Sequence, residues 1–108
     1  ENVVALELKR KELNNDIRFY YWKNQQQEEV DFVIKEGTKV KQLIQVCFNI
    51  NNLETKNREI RALIKAGKEL KCKNLLIITE DKEKEEKAEW FGDKANIKFI
   101  SLWKWLLA

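Results

Sequence analysis

The sequence predicts an α/β domain with a mixed β-sheet flanked by helices, on three observations. Residues 29–35 and 40–47 each alternate apolar and polar side chains across a short Gly-containing turn, a hairpin pattern. Residues 53–70 place apolar side chains along one face of a helix. Residues 74–79 (NLLIIT) form an unbroken apolar run, the pattern of an interior strand covered on both faces. Strand, helix and strand at this spacing imply a right-handed crossover that sets 74–79 parallel to 40–47. A length of 108 residues bounds the chain to one domain, 1–108, with enough mass for its own core.

The elements follow in order. Residues 1–13 read as a helix, with Val4, Ala5 and Leu8 on one stripe and neither Gly nor Pro to interrupt it. Asn14, Asn15 and Asp16 end it. IRFYYWK, 17–23, is aromatic and β-branched and reads as a strand whose rings mainly pack in the core. A polar turn leads to 29–35, where Val30, Phe32 and Ile34 face one way and Glu29, Asp31, Val33 and Lys35 the other. In 40–47, Val40, Gln42, Ile44 and Val46 oppose Lys41, Leu43, Gln45 and Cys47.

Turn length sets the register. A two-residue loop at 37–38 places Asp31 opposite Ile44. A three-residue loop at 37–39 pairs Val30 with Val46, Asp31 with Gln45 and Phe32 with Ile44. Matching apolar to apolar selects the second, because a one-residue slip turns every side chain to the wrong face. Asn52 is the expected N-cap of the helix over 53–70, whose apolar face is Leu53, Ile60, Leu63, Ile64 and Leu70. The nearly all-charged 80–89 reads as a solvated loop or surface helix. A strand at 97–101 and a short apolar helix at 102–108 complete the chain. The order is αβββαβ, then a charged connection, β and a short α.

Composition excludes several classes. No apolar run reaches the roughly 18–20 residues of a membrane helix, so no membrane partner is expected. Without His, and with Cys47 and Cys72 far apart, a zinc site is not expected, and two isolated cysteines fit a reducing cytoplasm. A net charge of +3 is too small to argue for nucleic acid by itself. Abundant Lys, Glu and Ile with no Met fits a thermophilic source. No signal peptide is visible and the first residue is Glu, so the chain reads as a domain of a longer protein. Cys47 reads as a small buried hydrophobe rather than a nucleophile, since no His activates it.

The segments ENVVALEL, YYWKN, EVDFVI, LIQVCFNI, REIRALIKA, LLIIT and ISLWKWLL, in this order, resemble the C-terminal PD-(D/E)XK, restriction-endonuclease-like domain of archaeal and bacterial AAA-type ATPases. The resemblance covers nearly the whole chain and implies a restriction-endonuclease-like core. It implies as partners an N-terminal ATPase portion of the parent protein, and DNA. In that superfamily a helix acid, a strand aspartate and a (D/E)-x-K triplet hold Mg²⁺ against the scissile phosphate, and the metal activates water. Mapped onto this chain, Asp31 matches the aspartate, Gln45 stands at the acid of the triplet and Cys47 at its lysine. Glu1 or Glu7 supplies the helix acid. The implied Mg²⁺ ligands are Asp31 and Gln45.

The departures matter. A glutamine carbonyl brings no charge, and a thiol neither replaces an ammonium nor prefers Mg²⁺. Lys41, Lys56 and Lys65 are the candidates to replace the lysine. Thr55, Arg58 and Glu59 are expected near the end of the strand that carries Gln45. Two functions follow from the resemblance: a Mg²⁺-dependent DNA phosphodiesterase or its DNA-binding remnant, and a non-catalytic interaction or oligomerisation module for the ATPase.

Overall fold

The computed structural model describes residues 2–14 and 17–107. Asn15 and Asp16, expected to end the first helix, and Ala108 of the expected last helix lie outside the described residues. Helix α1 spans Asn2–Asn14. Strands β1 (Ile17–Lys23), β2 (Glu29–Glu36) and β3 (Lys39–Val46) follow, then α2 (Leu53–Leu70) and β4 (Leu75–Thr79). Strands β5 (Lys84–Trp90) and β6 (Asp93–Ser101) and helix α3 (Leu102–Leu107) end the chain. The six strands form one mixed sheet in the order β1-β2-β3-β4-β6-β5. β4 runs parallel to β3 and to β6, and the other neighbours are antiparallel. The expected crossover is therefore present, and all five residues of β4 are buried.

Two apolar clusters cover the two sheet faces. One packs Ile60, Leu63, Ile64 and Ala66 of α2 on Val33, Leu43, Ile77, Ile97 and Phe99. The other packs Val4 and Leu8 of α1 and Trp105 of α3 on Phe32, Ile34, Ile44, Leu76 and Ile78. Alternate residues of β4 divide between the clusters, as strand geometry demands. The Val4–Ala5–Leu8 stripe faces the sheet as expected. Leu53 does not: it begins α2 exposed, beyond the edge of the apolar layer.

The N-terminus of α2 is built as the sequence indicates. The Asn52 side chain accepts from the Thr55 amide at 3.0 Å, satisfying an N–H that the first turn leaves without a helical partner. At the other end Lys71 adopts φ 56°, and the Cys72 amide donates to the Gly67 carbonyl at 2.9 Å. A Cβ at Gly67 would lie 2.8 Å from the Cys72 carbonyl oxygen, so only glycine lets the helix end this close to the following chain.

The 80–89 segment is not a loop or helix. It carries strand β5, at the sheet edge and antiparallel to β6. Glu86, Ala88 and Trp90 are half-buried while Lys87 and Glu89 are exposed, a period-two pattern hidden by charges on both faces. Charged side chains on an edge strand also discourage pairing with another chain. No helix among the described residues is long and apolar enough to cross a membrane.

Candidate functional site

The hairpin of β2 and β3 carries Asp31 and Gln45. Its turn is shorter than expected: Glu36 pairs with Lys39, leaving a two-residue loop with Gly37 at φ 62°. Alone, that loop gives the mismatched register. A bulge corrects it, because the pairing shifts between Lys35↔Val40 and Ile34↔Gln42, with Lys41 the extra residue. Phe32 then faces Ile44, as face matching required. The bulge also sends Val40 to the α2 side, not to the side of Ile44.

A second bulge lies at the candidate aspartate. Across β1 and β2, Tyr20 pairs with Val33 and Trp22 with Val30, so Asp31 and Phe32 together oppose Tyr21 alone. The extra residue turns Val30 to the α2 side with Val33, while Phe32 and Ile34 stay on the α1 side. Val30 therefore does not share a face with Phe32 and Ile34, nor pack with Val46, as strict alternation suggests.

One step beyond the last paired residues of the hairpin, side chains take over from the backbone. The Asp31 amide donates to Gln45 Oε1 at 2.8 Å. The Val46 amide donates to Asp31 Oδ2 at 2.8 Å. Gln45 Nε2 donates to the Glu29 carbonyl at 2.7 Å and to the Glu59 carbonyl of α2 at 3.5 Å. A donor on one side and acceptors on the other fix which way the amide points. Gln45 is only 1% exposed, so these bonds satisfy a polar group that would otherwise be costly to bury. The two side chains thus form a reciprocal staple across a hairpin end that a bulge has pried from regular pairing.

The structure brings together part of the expected set. Asp31 and Gln45 meet, and Arg58 and Glu59 line a cleft of about 300 Å³ beside them with Glu28 and Glu29. Cys47 is buried nearby; burial, and the negative charges of Glu59 and Asp31, push its thiol up, so it remains protonated at neutral pH. The helix acids do not join them. Gln45 reaches toward α2, whereas α1 packs on the opposite sheet face, so the site does not lie beneath the opening helix. Glu7 is taken by Arg10 at 2.6 Å, whose hydrogen bond holds its carboxyl below the usual range. Glu1 lies outside the described residues. Of the substitute lysines, Lys56 pairs with Glu86 at 2.9 Å and Lys65 with Glu28 at 2.7 Å, while Lys41 is the exposed bulge residue.

The two implied Mg²⁺ ligands are committed to backbone hydrogen bonds: Gln45 Oε1 and Asp31 Oδ2 are both engaged by backbone N–H groups. Among the described residues no group of three or more His, Cys, Asp or Glu side chains is placed to hold a metal ion.

Sequence reasoning missed Glu28. It is buried in the turn before β2 and holds Arg61 and Lys65 of α2, each at 2.7 Å, with Asn24 Nδ2 at 2.9 Å. Burial pushes its carboxyl up, but the Asn24, Lys65 and Arg61 contacts outweigh this and hold it below the usual range. The i,i+4 spacing of Arg61 and Lys65 on one helix face was the available signal.

The fold and site define an α/β domain with a six-stranded mixed sheet, flanked by helices and closed at one hairpin end by a buried polar staple. The chain belongs to the family described as Domain of unknown function (DUF4143), which it matches over residues 1–105. Domains of this family are commonly found in AAA-ATPase-associated proteins. No curated protein matches the chain.

Proposed function

We propose that this chain is a degenerate restriction-endonuclease-like domain that serves an AAA-type ATPase as a non-catalytic accessory and interaction module. The observation that carries the reading is the Gln45 amide. It sits where the resemblance puts a metal-binding acid, yet its oxygen and nitrogen are both spent on backbone groups of β2, and the nitrogen also reaches α2. The amide accepts from the Asp31 N–H and donates to the Glu29 carbonyl at once, which an ionised carboxylate at this position could not do. The staple maintains the hairpin instead of assembling charge for phosphodiester chemistry.

Two further features support the reading. The arrangement α1-β1-β2-β3-α2-β4, with an antiparallel meander followed by a parallel crossover, agrees with the αβββαβ core of that fold. Val3, Leu6 and Leu13 of α1 and Trp103 and Leu107 of α3 are exposed on helices that share one sheet face, which suits contact with another protein surface. The test is cleavage. The chain is incubated with single- and double-stranded DNA in Mg²⁺ or Mn²⁺. No cleavage above a metal-free control is expected; cleavage that disappears in Asp31→Asn would overturn the reading.

A further inference from the structure

Asn52 caps the N-terminal end of α2. At the opposite end of that helix, its last turn, the start of β4 and the β5–β6 hairpin enclose a cleft of about 570 Å³. The floor of the cleft is apolar, with Ile64, Leu75 and Ala95. Its rim carries Lys68, Lys71, Lys73 and Lys94 against a single acid, Asp93, which pairs with Lys68 at 3.3 Å. That excess of three positive charges equals the formal excess of the whole chain, so the rest of the sequence is neutral in sum. Lys68 and Lys71 have an ordinary explanation, because cations offset the carbonyl end of a helix. Lys73 lies outside that helix and does not; Lys94, also outside it, faces Glu89 across the hairpin and only approaches that exposed carboxylate at 4.0 Å.

The hairpin at the rim gives a second, independent observation. Trp90 pairs with Asp93 across a two-residue turn in which Phe91 and Gly92 have φ 47° and 84°. Positive φ at both central positions marks a type I′ turn, which Asn, Asp and Gly adopt readily and phenylalanine does not. Phe91 is nevertheless 88% exposed, so burial does not compensate the strain. Its ring is braced edge-on against Trp90 at 4.7 Å, and Trp90 is in turn covered by the Arg61 guanidinium at 5.0 Å. An aromatic face is thus held toward solvent beside a cationic cleft.

We infer that this end of the molecule binds single-stranded nucleic acid, with a base stacked on Phe91 and adjacent phosphates held by Lys68, Lys71, Lys73 and Lys94. Stacking tolerates any base, and lysines recognise the backbone, so the pair of features suits a single strand without sequence preference. An acidic peptide would use the lysines and leave the exposed ring without a role. The inference does not rest on the Asp31–Gln45 centre. The Gln45 amide meets α2 at Glu59, nine residues and about 14 Å along the helix before Lys68.

The test is fluorescence anisotropy of a labelled oligodeoxythymidine of about 12 nucleotides, within the span that small binding domains cover. Saturable binding that weakens with salt is expected. Phe91→Ala should lower affinity roughly 5- to 100-fold, the loss of about one stacked base. Phe91→Asn, which relieves the turn and keeps the fold, should lower it equally, and Phe91→Trp should retain it. Lys73→Ala should flatten the log–log salt slope by about 0.7, while Lys9→Ala on α1 should leave it unchanged. No saturable binding, binding indifferent to Phe91, or tighter binding of polyglutamate at the same lysines would overturn the inference.

Discussion

Gln45→Glu replaces one nitrogen by oxygen in a buried side chain and leaves its shape intact. The introduced carboxylate still accepts from the Asp31 amide. It can no longer donate to the Glu29 carbonyl, now an oxygen facing an oxygen at the 2.7 Å of the original bond. An uncompensated buried charge of this kind costs about 3–5 kcal/mol, a large part of the roughly 5–15 kcal/mol that holds a domain folded. At about 4 °C or more per kcal/mol, the melting temperature should fall by at least about 12 °C at neutral pH. The pH dependence gives a second reading. Burial raises the folded pKa of the new carboxyl above its unfolded value of about 4.3. Protonated, the group donates to the Glu29 carbonyl again. The variant is therefore closest to the parent below the unfolded pKa and loses stability as pH rises through the folded one. Thermal denaturation followed by circular dichroism in metal-free buffer measures both effects. A variant as stable as the parent at neutral pH would refute the staple.

Asp31→Ala should cost about 2 kcal/mol, since it leaves the Val46 N–H without its charged acceptor, and denaturant titration would measure this. Glu28→Gln should cost about 1–2 kcal/mol at neutral pH, a value kept small because Arg61 and Lys65 are each about a third exposed. The folded pKa of Glu28 is depressed, so its contribution is present above the unfolded carboxylate value and vanishes as pH falls through the folded one; stability curves of the two proteins should converge in acid. Gly67→Ala should destabilise by about 1–2 kcal/mol despite the better helix propensity of alanine, because its Cβ meets the Cys72 carbonyl oxygen at 2.8 Å. Phe91→Asn should stabilise by about 1 kcal/mol, seen as a higher melting temperature, by easing the left-handed turn.

The features legible in the sequence were those governed by a single period. The helical stripe over residues 53–70, the cap at Asn52 and the unbroken apolar β4 all carry their cause locally, and the structure has each of them. The hairpin register was legible through the demand that apolar faces match, while its means was not. The two-residue turn and the compensating bulge at Lys41 give the same Phe32–Ile44 pairing as the longer loop that the sequence suggests. Bulges count residues across two strands, so neither strand alone reveals them, and strict alternation puts Val30 and Val40 on the wrong faces. Strand β5 was hidden because an edge strand carries charge on both sides, and its alternation survives only in Ala88 and Trp90. At the site, the proximity of Asp31 and Gln45 was readable from the register. The side on which Gln45 points, and its bonds to backbone instead of to a shared ligand, depend on where α2 docks.

The central claim is that Asp31 and Gln45 hold the hairpin rather than a metal. A Mg²⁺ titration followed by NMR, reading the Gln45 side-chain amide and the Asp31 backbone amide, tests it most directly. Both resonances should remain in place through millimolar metal, and the Asp31 amide should stay protected from hydrogen exchange throughout. Saturable shifts of both signals, lost in Asp31→Asn, would contradict the account.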